Sequence, residues 1–75
     1  MTEKIKYAII GAGCMGQEHI LNIGIIDDAE VVALCDTSEQ SIQESLELLN
    51  NEVAIFNDYN DLIEANIADA FIIAT

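Results

Sequence analysis

Apolar residues gather in four short runs, Ile5 to Gly11, Val31 to Asp36, Val53 to Phe56 and Asp69 to Thr75, separated by stretches with a helical period. The first run ends in Ala8, Ile9 and Ile10, apolar on both faces, as in a strand covered from both sides. The second, "VVALCD", opens with β-branched residues suited to a buried strand. Between them the period changes: Cys14 to Ile23 places Gly16, Ile20 and Ile23 on one side and turns Glu18 and Asn22 elsewhere, which predicts a helix. Gly24 is its expected stop. In "TSEQSIQESLELLN", Thr37 and Gln40 form a capping box, and Ile42, Leu46 and Leu49 follow at helical spacing. "DYNDLIEA", Asp58 to Ala65, predicts a short third helix with Leu62 and Ile63 as its apolar contacts.

The resulting order, β-α-β-α-β-α-β, predicts an α/β fold with a parallel sheet, right-handed crossovers and helices on both faces. The chain has no proline, no glycine- or serine-rich linker and no repeat, so residues 1–75 form a single unit. A chain of this length buries only about 60% of its unfolded surface, yet 52% of its residues are hydrophobic. That excess predicts apolar surface meant for further protein. The last strand, "AFIIAT", is uncharged and lies at an expected open edge, so the isolated chain is expected to aggregate or fold only partly.

The first strand runs directly into Gly11-Ala12-Gly13-Cys14-Met15-Gly16, a complete G-x-G-x-x-G at a strand-to-helix junction. Gly11 permits the sharp turn, Gly13 lets a pyrophosphate approach bare main chain, and Gly16 lets the helix pack closely on the strand. First-turn amides around Cys14 and Met15 then face the phosphates, so no cation is required. Asp36 ends the second strand, twenty residues after Gly16, where a carboxylate accepts hydrogen bonds from the adenosine ribose. No cation follows it in Thr37, Ser38, Glu39 and Gln40, which favours NAD over NADP. Two alternatives remain open at this level: glycines that serve packing alone, and a site for S-adenosylmethionine.

Charge narrows the partners. Fourteen acids against Lys4 and Lys6 give a net charge of −12. With no basic stripe to release phosphate counterions, nucleic acid is not expected as a partner. No apolar run approaches the ~18 residues of a membrane span, and no secretory leader is visible before the glycines. Cys14 and Cys35 lack metal-ligand spacing, so no metal site is expected, and the chain reads as cytoplasmic with reduced thiols. Cys14 stands at a helix N-terminus, where a thiol can become reactive, but an inert side chain is the simpler expectation. Cys35 is expected in the core, His19 in a packing role, and Tyr7, Phe56 and Phe71 among packed side chains.

On these residues the sequence resembles the N-terminal part of the glucose-fructose oxidoreductase, inositol dehydrogenase and MocA family. The likeness rests on Gly11 to His19 as G-x-G-x-x-G-x-x-H, on "VVALCD", and on "DYNDLIEANIADAFIIAT". It implies the first four strands of a Rossmann-like doubly wound sheet in the order 3-2-1-4, incomplete at its open edge. It also implies a cofactor site of Gly11, Gly13, Cys14, Met15, Gly16 and Asp36, with Thr75 opening a loop that borders the dinucleotide. In a full-length enzyme it implies hydride transfer between a nicotinamide and a hydroxyl carbon of a sugar or polyol, and leaves room for a homo-oligomer. The family's Glu-Lys-Pro segment and C-terminal substrate domain have no counterpart in these 75 residues, so no catalytic residue is assigned. A non-catalytic nucleotide-binding module or a nonfunctional truncated product is the competing expectation.

Overall fold

β1 (Ile5–Ile10) forms the interior of a four-stranded sheet in a computed structural model that describes residues 4–74. It is followed by α1 (Cys14–Ile25), β2 (Ala29–Cys35), α2 (Glu39–Leu46), β3 (Ala54–Phe56), α3 (Tyr59–Ala65) and β4 (Ala70–Ile73). The strand order is β3-β2-β1-β4, with every pairing parallel. This is the expected α/β architecture. Because every pairing is parallel, the carboxyl ends of the strands share one edge of the sheet, and the order reverses at β1.

The sheet divides the core in two. Ile9, Val31 and Leu34 join Ile20 and Ile23 of α1 and Ile42 of α2 on one face, while Ala8, Ala33 and Cys35 lie with Leu62 of α3 on the other. Strict alternation along β2 would put Val31, Ala33 and Cys35 on the same side. An irregularity prevents this: Tyr7 pairs with Val31 but Ala8 pairs with Ala33, which leaves Val32 as an extra residue. Such a bulge exchanges the two faces beyond it. Leu34 therefore turns toward α1 and α2, and Cys35 toward α3.

Three local expectations change. α1 does not stop at Gly24; it continues to Ile25, and Ile26 ends it in an extended conformation with its N–H donating to the Ile23 carbonyl at 3.0 Å. α2 is capped by Ser38 rather than Thr37, with the Ser41 N–H donating to Ser38 Oγ at 3.2 Å. Leu49 reaches the core from the turns that follow α2, which ends at Leu46. α3 starts at an Asp58 cap, whose Oδ1 accepts from the Asn60 N–H at 2.8 Å, and ends at Asn66 with φ 52°.

β4 shows where the apolar excess goes. Ile72 packs into the α1–α2 core, whereas Phe71 and Ile73 point to the other face and remain 41% and 72% exposed. Phe71 is thus not the packed residue expected. α3 makes its main contacts with β2 and β3 rather than with β4. Tyr7 and Phe56 do pack, each partly buried against a core.

The exposed edge predicts concentration-dependent self-association of the 75-residue chain in sedimentation velocity. Ile73→Lys, a charge of the kind natural edge strands carry, is expected to shift it toward monomer while changing stability by no more than about 0.5 kcal/mol.

Candidate functional site

The glycines between β1 and α1 answer to three different constraints. Gly11 follows the last residue of β1, has φ 96°, and its N–H donates to the Cys35 carbonyl at 2.8 Å. A side chain there would be strained by the left-handed backbone. Gly16 lies where α1 crosses β1: a Cβ would run into the Gly11 carbonyl oxygen and crowd Ile9 Cγ2 at 3.2 Å. Gly13 is under neither constraint. Its φ is −78°, and a Cβ would meet nothing within 4 Å. Nothing within the described fold requires glycine at this position, and its flank is open.

Gly13 is also the N-cap of α1. It has no side chain to satisfy the first-turn amides, and no acid stands in that turn. The Gln17 N–H donates to the Gly13 carbonyl at 2.9 Å. Among the described residues no acceptor takes the N–H of Gly13, Cys14 or Met15. A helix start carries roughly half a positive charge and exposed donors, the arrangement that accepts an anion. Cys14 and Met15 are both exposed there. The chain's lysines are elsewhere: Lys4 and Lys6 line a hollow with Glu30 and Asp69 near the amino end of β1.

Asp36, the first residue beyond β2, reaches across to this loop. Its Oδ2 accepts from the Ala12 N–H and its Oδ1 from the Ser38 N–H, both at 2.8 Å. Its own N–H donates to the Phe56 carbonyl at 3.1 Å. The carboxylate therefore joins the glycine loop to Ser38, the residue that caps α2. Each carboxylate oxygen keeps a further lone pair for a ligand hydroxyl.

Beside Asp36 opens a cleft of about 380 Å³, lined by Ile10, Gly11, Cys35, Thr37 and the segment Asn57 to Asn60. That segment is absent from the motif-based expectation. The signal for it was the strand order itself, since β3 beside β2 in a parallel sheet brings their following loops together. Cys35 is both core and cleft floor. Burial pushes its thiol above the ordinary 9.0, and the negative charges of Asp58, Asp36 and Asp61 push it further. His19 is half-buried on α1 and does not line the cleft. Thr75 lies outside the described residues. Among the described residues no group of three or more His, Cys, Asp or Glu could hold a metal, and no helix is long and apolar enough to cross a membrane.

Residues 5–75 match the model of an oxidoreductase family with an NAD-binding Rossmann fold, GFO_IDH_MocA. The chain belongs to this family. It is 36% identical over 76 residues to an inositol 2-dehydrogenase of Arthrobacter sp., covering 100% of the chain and 22% of that relative. Among solved structures, WlbA dehydrogenase from Bordetella pertussis in complex with NADH and UDP-GlcNAcA aligns with a TM-score of 0.86 and 30% identity, over 100% of the chain and 22% of that protein. Scyllo-inositol dehydrogenase from Lactobacillus casei with bound NAD(H) and scyllo-inositol aligns with a TM-score of 0.84 and 27% identity, over 97% and 22% respectively. The chain thus matches the NAD-binding Rossmann region of this family and is similar to the corresponding part of inositol dehydrogenases, spanning about a fifth of their length.

The glycines make separable predictions. Gly16→Ala drives a Cβ into main chain and is expected to cost about 3 kcal/mol or more in chemical denaturation. Gly13→Ala, which meets open space, is expected to cost about 1 kcal/mol, the scale of a poorer N-cap. The cysteines supply another test. Because the Cys35 shift is upward, the folded state favours the neutral thiol: its contribution to stability is whole below pH 9.0 and fades as pH rises through the folded value. Peptide mapping after iodoacetamide treatment at pH 8 is expected to show Cys14 alkylated and Cys35 intact until denaturant is added.

Proposed function

We propose that this chain holds the adenosine and diphosphate half of an NAD molecule in an oxidoreductase that acts on a hydroxyl-bearing carbon of a polyol or sugar. One observation carries the reading: the open flank of Gly13 lies at the uncapped start of α1, with the Asp36 carboxylate on its rim. A diphosphate fits there because main-chain amides and the helix start supply all the positive potential needed. That matters in a chain with fourteen acids. Gly11, Gly13, Cys14, Met15 and Gly16 form the phosphate cradle, and Asp36 accepts from the ribose hydroxyls. The cleft between Thr37 and Asn57 to Asn60 takes the adenine.

Asp36 selects NAD over NADP. A 2′-phosphate would meet its carboxylate with no cation among Thr37, Ser38, Glu39 and Gln40, and both lysines lie near the amino end of β1. When bound, the nicotinamide supplies the hydride chemistry, and the residues of this chain bind and orient the dinucleotide rather than touch the reacting carbon. Residues 1–75 accordingly form the N-terminal part of a dinucleotide-binding domain, with the substrate pocket on a separate domain. The inositol bound to one relative and the nucleotide sugar bound to another support a polyol or sugar as the substrate class.

Calorimetric titration of the protein with NAD and NADP is the direct test, with tighter binding of NAD expected. Asp36→Ala is expected to weaken NAD by about 1–3 kcal/mol, the scale of buried hydrogen-bond partners left unpaired. Preferred binding of NADP, or an unchanged affinity in the variant, would overturn the assignment of Asp36.

A further inference from the structure

Ser45 is the one polar side chain among the described residues that is fully buried, at 0% exposure. It lies on α2, where Ile42 is the other buried residue. An alanine would fit a packed helix position at least as well, and a hydroxyl taken out of water destabilises unless it finds a partner. Ser45 Oγ has one: it donates to the Ala12 carbonyl oxygen at 3.0 Å. Gln17 Nε2 donates to the same oxygen at 3.1 Å and is itself tied to Glu44 Oε1 of α2 at 3.3 Å.

This carbonyl belongs to the peptide that joins Ala12 to Gly13. In a planar trans peptide the C=O of one residue and the N–H of the next point in opposite directions, and the described chain has no cis bond. Two donors that pull the Ala12 oxygen inward therefore turn the Gly13 N–H outward, on the residue whose flank is open and whose amide has no protein acceptor. On the other side of Ala12, Asp36 holds the N–H. The Ala12 main chain is gripped at both ends.

We infer that Ser45, assisted by Gln17, is a positioning residue that fixes the Ala12–Gly13 peptide so that the Gly13 N–H is aimed at the cofactor diphosphate before the cofactor arrives. The inference rests on the NAD site proposed above. A donor held in place in advance loses little freedom on binding, so its contribution appears in affinity for the phosphate-bearing part of the ligand.

The test is calorimetric titration of the protein and of Ser45→Ala with NAD, ADP-ribose and adenosine. NAD and ADP-ribose are expected to weaken about fivefold in the variant, the scale of one hydrogen bond. Adenosine, which carries no phosphate, is expected to bind unchanged. Removing Gln17 as well, in Gln17→Ala/Ser45→Ala, is expected to widen the difference. Equal affinity of the parent and variant proteins for all three ligands would overturn the inference and leave the NAD site standing. A loss shared equally by adenosine would also overturn it, since Ser45 would then support only the fold. If the unaltered protein bound none of the three, the NAD site itself would fall, and the inference with it.

Discussion

The contact of α1 with β1 at Gly16 is the constraint on which the rest of the structure depends. With no Cβ at Gly16, the helix can lie against the Gly11 carbonyl, and that closeness sets the first turn of α1 at the carboxyl end of the sheet. A helix displaced outward by one methyl group would carry its N-terminal amides with it. The turn at Gly11, the open flank of Gly13 and the reach of Asp36 to Ala12 are all arranged around this approach.

The same approach resolves an electrostatic difficulty. A chain of net charge −12 is a poor host for a dinucleotide if attraction must come from ionised side chains. In the proposed site it comes from fixed dipoles instead, and the loop that presents them is held by neutral and acidic groups. Asp36 holds one side of Ala12, and Ser45 and Gln17 hold the other. A negative side chain thus stabilises the loop proposed to take a negative ligand, because its charge is directed at the Ala12 and Ser38 N–H groups and the first-turn amides of α1 stay open. On β4, Phe71 and Ile73 stay exposed on one face, and the chain spans 22% of the length of the relatives it matches.

Where sequence and structure part, the cause is an interaction between distant segments. Ser38 rather than Thr37 caps α2, with its own amide held by Asp36, which also holds the glycine loop. Gly24 does not end α1 because glycine permits a stop without compelling one, and the Ile26 turn supplies it two residues later. Cys35 reached the cleft through a bulge that alternation along "VVALCD" does not reveal. Phe71 is apolar like any core strand residue, but α3 packs mainly over β2 and β3.

Local chemistry was enough to establish the alternating elements, the parallel sheet, the glycine turn from β1 into α1 and the acid at the end of β2. Hydrophobic period and the missing glycine side chains act over a few residues, and a one-dimensional pattern records them. The cleft wall from Asn57 to Asn60, the reversal of faces in β2 and the buried grip of Ser45 on Ala12 were decided only by tertiary structure. Each depends on segments far apart in the chain meeting in space, as when Ser45 Oγ finds the carbonyl of a residue 33 positions earlier. No spacing rule records such a meeting, because it is the packing of α2 against the loop that brings the two groups into hydrogen-bonding distance.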